Sequence, residues 1–114
     1  MSMPPLLNDA PIARFSHQPG ILRSLLELFL DTSSKTIYRI EAGVEEENLE
    51  QIAFHAHSLK GTAVELGADD LAELCQKVQL MAKTADKTST FALVKDLLNC
   101  YKETVAALLA LDFE

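Results

Sequence analysis

A chain of 114 residues with 48% hydrophobic content has the length of one domain able to bury about two-thirds of its surface. Seventeen acidic against ten basic residues leave a net charge of −7, which argues against nucleic acid as a partner. The longest apolar runs, such as Leu25 to Leu30 interrupted by Glu27, fall far short of the ~20 residues of a membrane span. Met1 to Asp9 lacks the basic start and apolar stretch of a signal peptide, so a cytoplasmic protein without direct membrane contact is expected.

In chain order, a Pro-rich lead (Pro4, Pro5, Pro11) has room for a short helix around Asp9 to Phe15. Ser16 offers an N-cap and Pro19 suits a first helical turn. The long segment that follows carries Leu22, Leu25, Leu26, Phe29, Ile37 and Ile40 close to the 3.6-residue period, and Gly43 is its predicted end. A second helix is predicted from about Glu46 to Leu66, with Glu45, Glu46 and Glu47 at its dipole-favoured start and Gly67 closing it. The third runs from Ala68 or Asp69 to Ala85 on a stripe of Leu71, Leu74, Cys75, Val78 and Met81, with Asp69 or Asp70 serving its start. The fourth begins near Ser89 and turns Phe91, Val94, Leu98, Tyr101, Val105 and Leu108 inward. Tyr38, Tyr101 and the phenylalanines other than Phe54 read as core, and His17 as a capping or loop residue.

Four long stripes joined by short connections predict an all-α, antiparallel four-helix bundle. A single domain over residues 1–114 is expected, with an N-terminal extension to about residue 17, a bundle over about 18–111, and a monomer as the assembly. Cys75 and Cys100 lie in apolar helical stretches without metal-ligand spacing, which predicts buried free thiols in a reducing compartment rather than a disulfide.

The second helix holds the chemistry, in the run His55-Ala56-His57-Ser58-Leu59-Lys60-Gly61-Thr62-Ala63. With His57 at zero on a wheel of about 100° per residue, Ile52, Leu59, Ala63 and Leu66 gather at roughly 180–240°. His57 therefore faces water, whereas His55, at about 160°, leans toward the core as a structural histidine. Lys60 and Gly61 flank His57. A mid-helix glycine costs on the order of 1 kcal/mol relative to alanine. At Gly61 neither a cap nor a kink is needed, so the benefit looked for is room for an approaching group. Lys60 supplies a point charge suited to phosphoryl oxygens. An exposed imidazole is largely neutral at pH 7, and neutral imidazole is a nucleophile. These properties suit a histidine that accepts a phosphoryl group and gives it away.

Other chemistries fit less well. His55 and His57 point about 200° apart and cannot chelate one ion. The Glu-x-x-His pairs of di-iron bundles are missing, since Ile52 and Phe54 stand three before the histidines. No loop is long enough for the cleft of a Cys-His hydrolase. With four glycines and no Gly-rich phosphate loop, autonomous kinase activity is not expected.

The run Ala56-His57-Ser58-Leu59-Lys60-Gly61-Thr62-Ala63, followed by Leu66-Gly67-Ala68, strongly resembles the signature of histidine-containing phosphotransfer (HPt) domains of two-component phosphorelays. The resemblance extends from about Gly20 to Leu109 and takes in Leu25 to Leu30 and Leu71 to Gln79. It implies that His57 is the phosphoacceptor and that Lys60 and Gly61 shape its surroundings. It also implies that Gln79 and Lys83 flank the imidazole, although both also read as ordinary decoration of a solvated helix face. Glu65 adds a negative charge about two turns beyond His57.

The activity expected is reversible transfer between His57, through Nε2, and an aspartate of a receiver domain. No cofactor or metal is expected on this chain, and Mg²⁺ belongs to the receiver. Phe54, at about 60° on the wheel, together with Val64 and Ala53, would form the apolar centre of a transient docking face. The partners expected are response-regulator receiver domains and a hybrid sensor histidine kinase, with this chain either free-standing or a terminal domain of such a kinase. The alternative from another class is a non-catalytic adaptor that binds receiver or kinase domains without carrying phosphate.

Overall fold

A computed structural model describes residues 17–111. Four helices follow one another: α1 (Pro19–Glu45), α2 (Leu49–Leu66), α3 (Asp69–Ala82) and α4 (Lys87–Leu109). The short helix expected around Asp9 to Phe15, and the cap expected at Ser16, lie outside the described residues. Connections of two to four residues turn each helix back on the last and give the antiparallel bundle that the four stripes predict. A 27-residue helix such as α1 is about 40 Å long. It therefore runs along the 46 Å axis of a body whose other extents are 23 and 18 Å. The sequential pairs α1–α2, α2–α3 and α3–α4 pack extensively, and α1 meets α4 far less.

Pro19 stands at the start of α1, as expected, although the capping position is Gln18 and makes no side-chain bond. Leu22, Leu26, Phe29, Ser33, Ile37, Ile40 and Gly43 recur every three or four residues as its buried face. The helix does not stop at Gly43. Its closing turn is a Schellman motif, in which Asn48 N–H donates to the Gly43 carbonyl (2.8 Å) and Glu47 N–H to that of Val44 (3.1 Å). Glu47 occupies the left-handed position at φ 53°. Gly43 serves packing instead: a Cβ there would lie 2.8 Å from Ile52 Cγ1. The acidic run therefore closes α1 rather than opening α2, whose first turn holds only Glu50. Asn48 caps α2, its Oδ1 accepting from Gln51 N–H at 3.0 Å.

Gly67 closes α2 as predicted, at φ 79° and again in a Schellman turn, with Ala68 N–H on Ala63 O (2.9 Å) and Gly67 N–H on Val64 O (3.1 Å). In α3, Asp69 and Asp70 occupy the first turn behind an Ala68 cap that has no side-chain bond. This helix ends at Ala82, three residues short of the predicted Ala85, which adopts φ 63°. Asp86 then caps α4, accepting from Ser89 N–H (3.0 Å) and Ser89 Oγ (2.8 Å), so the helix opens at Lys87 and not at Ser89.

The buried face of α4 also differs from its predicted stripe. Val94 and Leu108 are buried, but Phe91, Leu98, Tyr101 and Val105 are only half-buried, and Thr90, Leu97, Cys100 and Thr104 fill the interior. Thr90 Oγ1 donates to Asp86 O (2.7 Å) and Thr104 Oγ1 to Cys100 O (2.8 Å). With their hydroxyls satisfied by the carbonyl one turn back, both threonines enter the core as small apolar groups. Tyr38, expected inside, is 70% exposed. Leu25 lies at the margin of the α1 stripe.

Candidate functional site

Ile52, Ala56, Leu59, Ala63 and Leu66 anchor α2 in the bundle and fix which way its remaining residues point. His57 lies on the opposite face and is exposed. It lines a shallow depression of about 260 Å³ with Ala53 and Phe54 of its own helix, Gln79 of α3, and Lys83 just beyond the end of α3. The two residues suggested by resemblance, Gln79 and Lys83, are thus brought beside His57. Gln79 is half-buried and Lys83 exposed.

Gly61, one turn along, is exposed, and a Cβ added there would meet nothing within 4 Å. No close helix approach accounts for this glycine, in contrast to Gly43. The surface over Gly61 is open, which leaves the approach to α2 unobstructed beside His57. Val64 (53% exposed) and Phe54 (70% exposed) extend that surface with apolar area.

Lys60 is half-buried, and its Nζ donates to Gln76 Oε1 of α3 at 2.6 Å. Gln76 was not singled out from sequence. The available signal was its place three residues before Gln79 on the same α3 face. His55 is half-buried, as the wheel predicts, and packs edge to face against Phe54, with ring centroids 5.0 Å apart at 84°. Burial, followed by the nearby Arg39 guanidinium, lowers its pKa below the ordinary histidine value, so the structure favours neutral imidazole there.

Glu65 does not line the His57 depression. It is exposed in a separate groove of about 250 Å³ with Thr62 and Leu66 of α2 and Leu25, Leu28, Phe29 and Thr32 of α1. His17 is an exposed turn residue. Cys75 and Cys100 are buried free thiols, as expected. Burial, reinforced by the neighbouring Cys100, pushes the Cys75 thiol up to about 12, only partly opposed by Lys60. Burial also raises Cys100. Among the described residues, no three His, Cys, Asp or Glu side chains converge as a metal site, and no helix is long and apolar enough to cross a membrane.

Known proteins resemble this chain in sequence and in fold. The Hpt domain family matches residues 24–110. The phosphorelay intermediate protein YPD1 of Candida albicans is 32% identical over 62 residues, which are 54% of this chain and 34% of that protein. The chain thus matches about a third of that relative's length. The crystal structure of histidine-containing phosphotransfer protein B (HptB) from Pseudomonas aeruginosa superposes with a TM-score of 0.84 at 21% identity, covering 91% of each chain. A histidine-containing phosphotransfer protein from rice, described as putative, superposes at 0.82 and 16% identity over 92% of this chain and 78% of that one. Its helical bundle is the fold of both solved structures, and with the family match spanning α1 to α4 the chain belongs to the Hpt domain family.

Proposed function

We propose that this chain is a phosphoryl carrier in a phosphorelay, taking the group onto His57 from a receiver-domain aspartate and passing it to another receiver. The observation that carries this reading is the exposed His57 in mid-helix beside open surface at Gly61, with Gln79 and Lys83 lining the same depression. The Nε2 lone pair of His57 forms the P–N bond as the P–O bond to the aspartate breaks, and the carboxylate leaves with the bonding pair. The partner's active site, with its Mg²⁺, stabilises charge on the transferring group. Lys60, Gln79 and Lys83 add polar and positive groups on one side, while Ala53, Phe54 and Val64 supply the apolar centre of a modest interface. Receiver domains and a hybrid sensor histidine kinase are the proposed partners, met in the cytoplasm by a monomer.

The test is incubation of the chain with a phosphorylated receiver domain, followed by the same experiment on His57→Gln. Acid-labile, alkali-stable phosphate on wild type alone supports the carrier. Equal labelling of both overturns His57 as the acceptor, and no labelling from any of several receivers that bind the chain leaves the non-catalytic adaptor as the better reading.

A further inference from the structure

We infer that Gln76 is a positioning residue that holds the Lys60 ammonium in place without neutralising it; this rests on the phosphoryl-carrier reading above. The bond from Lys60 Nζ to Gln76 Oε1, 2.6 Å long, crosses from α2 to α3 and is partly buried. A lysine has a flexible four-carbon stem, and an unanchored ammonium spreads its charge over many rotamers. Anchoring it to a residue fixed on the neighbouring helix gives the charge one position before any partner arrives.

The chemical type of the anchor matters as much as its place. Lys35, Lys77 and Lys87 each pair with a carboxylate, of Asp31, Glu73 and Glu47 respectively. Lys60 is held instead by a neutral amide. An ammonium has three donors, and Gln76 Oε1 takes one. Two donors and the whole positive charge remain for phosphoryl oxygens, whereas a carboxylate at this position would form an ion pair and oppose the incoming anion. Gln76, Gln79 and Lys83 follow at spacings of three and four along α3, so the anchor shares a face with the two residues lining the His57 depression.

The experiment measures the rate of transfer from a phosphorylated receiver to the full chain for wild type, Gln76→Leu, Lys60→Met and the double variant. Circular dichroism and the denaturant midpoint establish that each is folded. Gln76→Leu should slow transfer roughly fivefold to tenfold, the scale of one typical net hydrogen bond. In the Lys60→Met background the same change should have no further effect, because Gln76 acts through Lys60. A general structural role would slow both backgrounds alike. Gln76→Glu, which keeps an acceptor but pairs the charge, should also slow transfer. The inference is overturned if Gln76→Leu or Gln76→Glu transfers at the wild-type rate, or if the loss persists in Lys60→Met. Wild type that never takes the group onto His57 removes the carrier reading itself, an outcome distinct from a labelled wild type with an indifferent Gln76.

Discussion

Ser33 of α1 and Tyr101 of α4 share a hydroxyl–hydroxyl hydrogen bond of 2.8 Å across an interface far less extensive than those between sequential helices. Ser33 is fully buried, so its hydroxyl cannot turn to water when the partner is lost. Tyr101→Phe should lower the free energy of unfolding by about 1 kcal/mol in a urea titration. Ser33→Ala should cost less, because half-buried Tyr101 can be hydrated. An unchanged midpoint for Tyr101→Phe would show that the bond adds no net stability.

Gly43 and Gly61 should respond oppositely to alanine. At Gly43 the new Cβ would stand 2.8 Å from Cγ1 of Ile52, which is fully buried and has no room to yield. Gly43→Ala should therefore destabilise by about 1–3 kcal/mol. At Gly61 a Cβ meets nothing, so Gly61→Ala should gain roughly 0.5–1 kcal/mol of helix stability. Gly61→Gln should leave the helical circular dichroism nearly unchanged and slow phosphoryl transfer. Rapid transfer by Gly61→Gln would show that the open surface is not used.

His55 should make stability depend on pH. Its folded pKa lies below the unfolded value of 6.5, so between the two the unfolded chain binds more protons. The stabilisation is complete above about pH 6.5 and is lost as pH falls through the folded value. Denaturant midpoints measured down to about pH 5 should fall less steeply for His55→Gln than for wild type. The variant should retain transfer, since His55 is not the exposed histidine. Loss of transfer in a folded His55→Gln protein would reverse the roles of the two histidines.

Neither cysteine should react with a thiol reagent in the native state. Thiolate is the reactive species, and burial raises both thiols, Cys75 to about 12. At mildly alkaline pH, native protein should stay unmodified over the time in which denatured protein titrates both groups. Fast reaction of either would show that α3 and α4 part readily.

The bundle, the face of α2 and the separation of His57 from His55 were legible because each depends on where apolar residues recur along a helix. Gly67 was legible as a terminator, and Gly43 looked the same in sequence. What separates them is tertiary: Ile52 approaches Gly43, while Glu47 takes the left-handed turn a glycine was expected to fill. The interior of α4 was misread because threonine counts as polar until its hydroxyl is seen to bond back along the helix, as at Thr90 and Thr104. Gln76 escaped notice because a neutral side chain three residues from Gln79 has no distinguishing type. Its significance arises only from what Lys60 reaches.

The residues proposed to handle the phosphoryl group all belong to α2, α3 or the residue just beyond α3, and those helices are joined by Gly67 and Ala68 alone. A hairpin closed this tightly works as a self-contained reaction module, and α1 and α4 act as its buttress. The outer faces of the buttress carry none of the residues proposed to handle the phosphoryl group, so substitutions there should alter the stability of the module before its chemistry.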